Sequence, residues 1–204
     1  MGETITRFPL FPLGLVLLPG EMVPLHIFEE RYRTMVGHCL ESESEFGILW
    51  MGDEGLREIG CTAEISQVLD RTDDGRMNIL VRGGRPFRLQ RRIQELEYPA
   101  GDIELLDDHP DSGAGGESAR SSYADLVERV TDTRPEQSEL DDLDAFGMAA
   151  TIEFELSAKQ QLLELRSEEE RLTLLASLCA RALDRFEYAE RAAERAQTNG
   201  KVHR

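Results

Sequence analysis

Between positions 8 and 40 the apolar residues fall into short runs, separated by Pro9, Pro12, Gly14, Pro19, Gly20 and Pro24. Proline lacks the N–H and holds φ fixed, so this spacing argues against a helix. It predicts short strands with kinks or bulges, the prolines at edges or strand starts. Past Phe28 the period changes. Tyr32, Met35, Val36, Cys39 and Leu40 recur at i, i+3, i+4, i+7 and i+8, one face of an amphipathic helix. Glu29 and Glu30 open it, where carboxylates suit the positive end of the helix dipole. The pattern is strand, tight turn, strand, helix around one apolar seam.

Downstream, strand patterns continue to about Leu106. Residues 45–51 carry Phe46, Ile48, Leu49 and Trp50, and residues 57–70 read as a long strand bulged near Gly60. Asp73-Asp74-Gly75 predicts a turn into residues 77–82, where Met77, Ile79 and Val81 alternate as in a half-buried strand. Gly83-Gly84 predicts an interruption, after which Phe87, Leu89 and Ile93 resume the alternation; residues 98–106 form the last strand. About six short strands around one helix suggest a partly closed barrel, which limits exposed edges.

Residues 107–119, DDHPDSGAGGESA, have no apolar period and predict a flexible linker. The remainder is helical. Ser122 with Asp125 predicts a start, followed by Tyr123, Leu126, Val127 and Val130 on one face. A polar break covers 132–141, and Leu143, Phe146, Ala149 and Ala150 mark the next helix. Ser157 with Gln160, and Ser167 with Glu170, carry capping-box spacing. The second box opens a long helix with a seam of Leu172, Leu175, Ala176, Cys179, Ala182, Leu183 and Phe186; its tail is expected to fray. The class is therefore α+β: a β-rich domain over 1–106, a linker over 107–119 and a helical bundle over 120–204.

Charge narrows the partners. The 204 residues carry a formal net charge of −17. Residues 101–157 alone hold sixteen acidic side chains against Arg120, Arg129 and Arg134. Such a field repels phosphate backbones and anionic membranes. No apolar run approaches the roughly 20 residues needed to span a bilayer, and MGETIT is not a secretory leader. Met1-Gly2 with Thr6 fits a myristoylation pattern, but no basic patch follows to strengthen anchoring. Cys39, Cys61 and Cys179 are odd in number and lack C-x-x-C spacing, which predicts buried free thiols and a reducing, cytoplasmic setting.

PLFPLGLVLLPGEMVPLHIFEERYRTMV resembles the opening of the LON substrate-binding domain, the N-terminal domain of ATP-dependent Lon proteases. Pro19, Gly20, Pro24, Leu25, Ile27, Phe28, Glu29, Arg31 and Tyr32 match the family's PG turn and PLHIFEPRY-like segment, with Glu30 where proline is common. Further matches in order are Phe46-Gly47, Ile59-Gly60-Cys61-Thr62-Ala63, Asp74-Gly75-Arg76, residues 79–83 and residues 159–163. Pro86 departs from the arginine usual in the family's G-x-R-R-F segment. The resemblance implies a β-rich pseudo-barrel related to the PUA fold, then a helical bundle, and recognition of polypeptides.

The residues offer little chemistry. Lon-type proteolysis needs a serine activated by a nearby lysine. The only lysines are Lys159 and Lys201, and no glycine-flanked serine resembles the nucleophile loop. No G-x-x-x-x-G-K-[ST] is present for phosphates. Asp141-Asp142-x-Asp144 lacks the glycine and distal glutamate of an EF-hand. His38 neighbours Cys39, but adjacent helical residues point about 100° apart and cannot share a metal easily. His26 reads as a core or edge histidine, and Glu29 with Arg31 as a pair holding the helix start. Arg82, Arg88 and Arg92 fall on a solvent face, a candidate RNA strip that the −17 charge opposes. No catalytic, metal or cofactor residue is assigned. The expectation is a non-catalytic module that binds unfolded or degradation-bound polypeptides, its partner being such a substrate or else a protease or chaperone. Its apolar groove is expected between barrel and helices, lined by Met22, Pro24, Phe28, Tyr32 and Trp50. The competing readings are a hydrolase with an unrecognised site and a PUA-like RNA binder.

Overall fold

The computed structural model describes residues 2–110 and 116–199; residues 111–115 of the expected linker, the tail after 199, and with it Lys201 and His203, lie outside the described residues. The chain divides into two compact units, Met1–Pro110 with Phe146–Arg166, and Asp111–Ala145 with Ser167–Arg204.

The first unit is built on strands β1 (Thr4–Leu13), β2 (Met22–Ile27), β3 (Phe46–Gly52), β4 (Gly55–Arg71), β5 (Met77–Ile93) and β6 (Ala100–Leu105). The sheet order is β2-β5-β4-β3-β1-β6, and β5 also pairs with β6, so the ladders β5-β4-β3-β1-β6 close on themselves and β2 branches off β5. Helix α1 (Glu30–Ser42) follows β2 and buries Tyr32, Met35, Val36 and Cys39, the face its period predicts, with Leu40 half-buried. One core cluster collects Phe8, Leu10, Leu49, Phe87, Ile103 and Leu105 from four strands. Phe8 and Phe87 meet edge to face at 6.1 Å, a favourable ring geometry.

Two sequence expectations change here. Pro9 and Pro12 lie in β1, which sits between β3 and β6 and is not an edge. β1 switches partners along its length: residues 4–9 pair with β6 and residues 10–13 with β3. At each proline only one side of the strand is occupied, so the missing N–H is tolerated. Gly83-Gly84 does not interrupt β5 either. A side chain at Gly83 would place its Cβ 2.0 Å from the Leu18 carbonyl oxygen, and one at Gly84 2.3 Å from Thr62 Oγ1. These glycines admit close backbone neighbours within a continuous strand.

The β4–β5 turn is held by Asp74. Its carboxylate accepts from Thr72 Oγ1 at 2.5 Å and from the Arg76 guanidinium at 2.7 Å, and Gly75 adopts φ +84°. The Thr72 hydroxyl first, then the Arg76 backbone N–H and side chain, favour the ionised form and hold the carboxyl down at about 2. A depressed folded value means the contribution is full above the unfolded pKa near 4 and is lost as pH falls through about 2. Carboxyl NMR is expected to give an Asp74 midpoint near 2; a midpoint near 4 would show that the turn hydrogen bonds are not populated.

Helix α4 (Ala145–Ala150) leads to α5 (Leu156–Glu164), which packs on β4 in the first unit. The Ser157/Gln160 capping box does not form: α5 begins at Leu156, after Glu155, with no side-chain cap. Gln160 is buried and its Nε2 donates to the Ile59 carbonyl at 3.1 Å and to Glu164 Oε1 at 2.8 Å. Lys159 Nζ reaches Glu21 Oε1 at 2.6 Å. These contacts place residues 146–166 with the strands, whereas the order of patterns along the chain had put them in the 120–204 bundle.

In the second unit α2 (Gly116–Thr131) lies along α6 (Glu168–Asn199), with α3 (Gln137–Asp141) between them in sequence. Helix α2 starts six residues before the Ser122 signal, inside the segment read as linker. Val130, expected on its apolar face, is 59% exposed, as is Phe186 of α6 at 46%. Helix α3 occupies the expected polar break, capped reciprocally by Glu136 and Glu139. At the start of α6, Ser167 Oγ accepts from the Glu170 N–H at 3.4 Å, as its spacing predicts.

Candidate protein-binding surface

Strand β2 alternates strictly. Leu25 and Ile27 are buried and Val23 is half-buried, while Met22, Pro24 and His26 are exposed on the other face. Met22 is 46% exposed and Phe28, just past the strand, 57%. Opposite them on β5 stand Arg82, Leu80 and Asn78, paired with Met22, Pro24 and His26. His26 Nδ1 lies 2.7 Å from Asn78 Oδ1, and its ring stacks with Phe28 at 5.6 Å. The result is an apolar strip of Met22, Pro24 and Phe28 backed by the half-buried Leu80. Packing dictates it: the odd positions of β2 face the core, so the even ones must face out.

The five residues singled out in the sequence therefore separate. Met22, Pro24 and Phe28 share one surface. Tyr32 is 6% exposed, packed against Phe11 at 4.1 Å with the Arg31 guanidinium 4.5 Å over its ring. Burial, the larger influence, raises its hydroxyl pKa. Trp50 is half-buried in β3 under Arg57, 5.4 Å from the ring. A concavity of about 380 Å³ lies elsewhere in the unit, among Leu10, Pro12, Met51, Leu56, Leu96 and Pro99, and none of the five lines it. His26 and Leu80 were missed as members of the strip. The available signal was the period-2 alternation of MVPLHI, overshadowed by its overall apolar character.

Several of the other charged groups are engaged. Glu29 and Arg31 form an exposed ion pair at 2.8 Å. Arg85 pairs with Asp107 at 2.5 Å and Arg91 with Asp102 at 2.7 Å, which sets carboxylates beside the strip of Arg82, Arg88 and Arg92. Arg91, the leading influence, lowers the Asp102 pKa. The three cysteines are buried and unpaired; desolvation raises all three thiols, Cys179 to about 12. Thiols so placed stay protonated at neutral pH and are poor nucleophiles. Among the described residues no three His, Cys, Asp or Glu side chains gather as metal ligands, and no helix is long and apolar enough to cross a membrane.

Residues 7–181 match the family model described as the ATP-dependent protease La (LON) substrate-binding domain. The chain is 22% identical over 200 residues to a Lon protease of Cytophaga hutchinsonii, a match covering 88% of this chain and 24% of that protein. It is 24% identical over 206 residues to Lon protease 2 of Herpetosiphon aurantiacus, covering 91% and 25%. The chain thus spans about a quarter of the length of these relatives. Its fold superimposes on the crystal structure of a Lon N-terminal domain protein from Xanthomonas campestris with a TM-score of 0.63 and 27% identity, covering 85% of this chain and 98% of that one. The N-terminal domain of the Mycobacterium avium complex Lon protease also gives 0.63, at 21% identity, covering 87% and 98%. With a mixed sheet and helices in the arrangement of Lon N-terminal domains, and a family match over most of its length, the chain belongs to the LON substrate-binding domain family.

Proposed function

We propose that this chain is a non-catalytic module that binds polypeptides exposing apolar side chains, unfolded or degradation-bound ones, through the strip of Met22, Pro24 and Phe28. The observation that carries the reading is Phe28, 57% exposed beside a 46% exposed Met22 on one face. A soluble domain seldom leaves large apolar side chains grouped at its surface without a partner. Thioether and aromatic groups adapt to varied sequences. The family's substrate-binding description supports a polypeptide as that partner. Lys159, the one lysine among the described residues, is held by Glu21, which supports a non-catalytic role. The closed run of ladders supports the PUA-like pseudo-barrel form of the fold, and the three buried thiols support a reducing, cytoplasmic setting. A protease or chaperone is the alternative partner proposed.

Fluorescence anisotropy with a labelled, permanently denatured model polypeptide tests the function. Phe28→Ala is expected to weaken binding about tenfold, the size of a lost aromatic anchor at the lower end of its range. Its thermal midpoint should be unchanged, because the ring is mostly in water already. No measurable binding of the denatured polypeptide by the unmodified chain would overturn the proposal.

A further inference from the structure

We propose that the polypeptide docks as an added β-strand on the open edge of β2, and that the segment taken is extended, cationic and apolar at alternate positions. This rests on the polypeptide-binding reading above and specifies how, and for which segments, the same surface works.

The backbone supplies the first argument. Among the described residues β2 has a single ladder partner, β5. The ladder opens with the Gly83 N–H donating to the Glu21 carbonyl at 2.9 Å, immediately before the pair Met22 and Arg82. Antiparallel ladders alternate bonded and non-bonded pairs. From that starting bond, Val23, Leu25 and Ile27 direct their backbone groups at β5. Met22, Pro24 and His26 direct theirs at the open edge. Pro24, which has no N–H to give, falls on the open side, where a ladder tolerates it. The edge therefore offers two donors, from Met22 and His26, and three acceptors, from Met22, Pro24 and His26. Proline blunts the edge against uncontrolled pairing without closing it.

Side chains supply the second. The three residues whose backbone faces the edge also carry the exposed strip. An added strand would lay every other side chain beside Met22, Pro24, His26 and Phe28, so recognition by backbone and by apolar contact coincide. Charge supplies the third. On the same outward face β4 sets Glu64 opposite Arg82 and Asp70 opposite Asn78, so two carboxylates stand against one guanidinium, and Glu30 follows β2 past the Glu29–Arg31 pair. The chain as a whole carries −17. This field favours cationic segments and opposes acidic ones.

The test uses the whole chain and short synthetic peptides alternating phenylalanine with lysine. Two derivatives carry N-methyl groups, one on the phenylalanine amides and one on the lysine amides, so that each removes the donors on one edge of the peptide. In an added strand only one set faces β2. One derivative is expected to bind on the order of tenfold or more weaker, while the other binds like the parent peptide. Replacing lysine by glutamate is expected to weaken binding by a similar factor, and added salt to weaken the lysine peptide. Equal affinities for both N-methylated peptides would overturn strand addition while leaving polypeptide binding intact. Failure of the parent peptide and of denatured polypeptide alike would overturn both. A dimer in sedimentation that peptide does not dissociate would assign the edge to a second copy of the chain and also overturn the proposal.

Discussion

Phe87→Ala is expected to lower the unfolding free energy of the β-rich unit by about 4 kcal/mol, in the range for emptying a buried aromatic site. The ring is 0% exposed and belongs to the cluster of Phe8, Leu10, Leu49, Ile103 and Leu105. Its placement explains why so little could move in to fill the gap. The ring lies over Gly47 and Gly60, where a Cβ would stand 2.6 and 2.8 Å from ring carbons. Those walls are backbone, fixed by the ladders pairing Leu10 with Gly47 and Gly60 with Phe87. A cavity walled by sheet backbone relaxes less than one walled by side chains, so the loss should not fall to the lower end of the range. Trp50, the only tryptophan, lies in β3 and reports on this unit by fluorescence during urea unfolding. Phe87→Leu, which keeps most of the volume, should lose roughly 1–1.5 kcal/mol. A loss below about 1 kcal/mol for the alanine variant would show that the ring does not hold the cluster together.

Lys159→Met should have the second largest effect, about 2–3 kcal/mol, somewhat below the range for a fully buried pair because both side chains keep a little exposure. Lys159 and Glu21 are 12% and 14% exposed and 2.6 Å apart. Glu21 Oε2 also accepts from the Leu18 N–H at 2.9 Å, so one carboxylate fixes the turn before β2 and receives the ammonium of α5. With Lys159 removed, a largely buried carboxylate loses its counter-charge, and desolvation is no longer offset. The double variant Glu21→Gln with Lys159→Met removes both charges and is expected to recover most of the loss. A double-mutant cycle by urea unfolding measures this coupling. Additive losses would mean that the two side chains do not interact. Because the pair is shielded, its coupling should change little with salt, unlike the exposed Glu29–Arg31 pair.

The two variants differ in how visible their sites were beforehand. Phe87 announced itself by alternation with Leu89 and Ile93, since a residue every second position marks the inner face of a strand whatever the partners are. Lys159 read as an ordinary helix-start residue beside a capping serine. Its partner lies 138 residues away, and no local pattern encodes such a contact. The same reasoning separates Tyr32 from Phe28. Both are aromatic and four residues apart, but one follows the helical seam inward and the other stands at the junction where neither period applies.

Legible in the chain alone were the elements with a strong period: the α1 seam, the long strands, the start of α6, the excess of acid and the family kinship of the PLHIFEERY region. Those depend on nearest neighbours along the chain and on which side chains water rejects. Tertiary structure alone decided which ladder partners form, and with them that β1 switches partners, that β2 pairs with β5 alone among the described residues, and that residues 146–166 return to the strands. Strand pairing and buried ion pairs join residues far apart in sequence. Their free energy belongs to the meeting of two surfaces, so neither segment carries its signal separately.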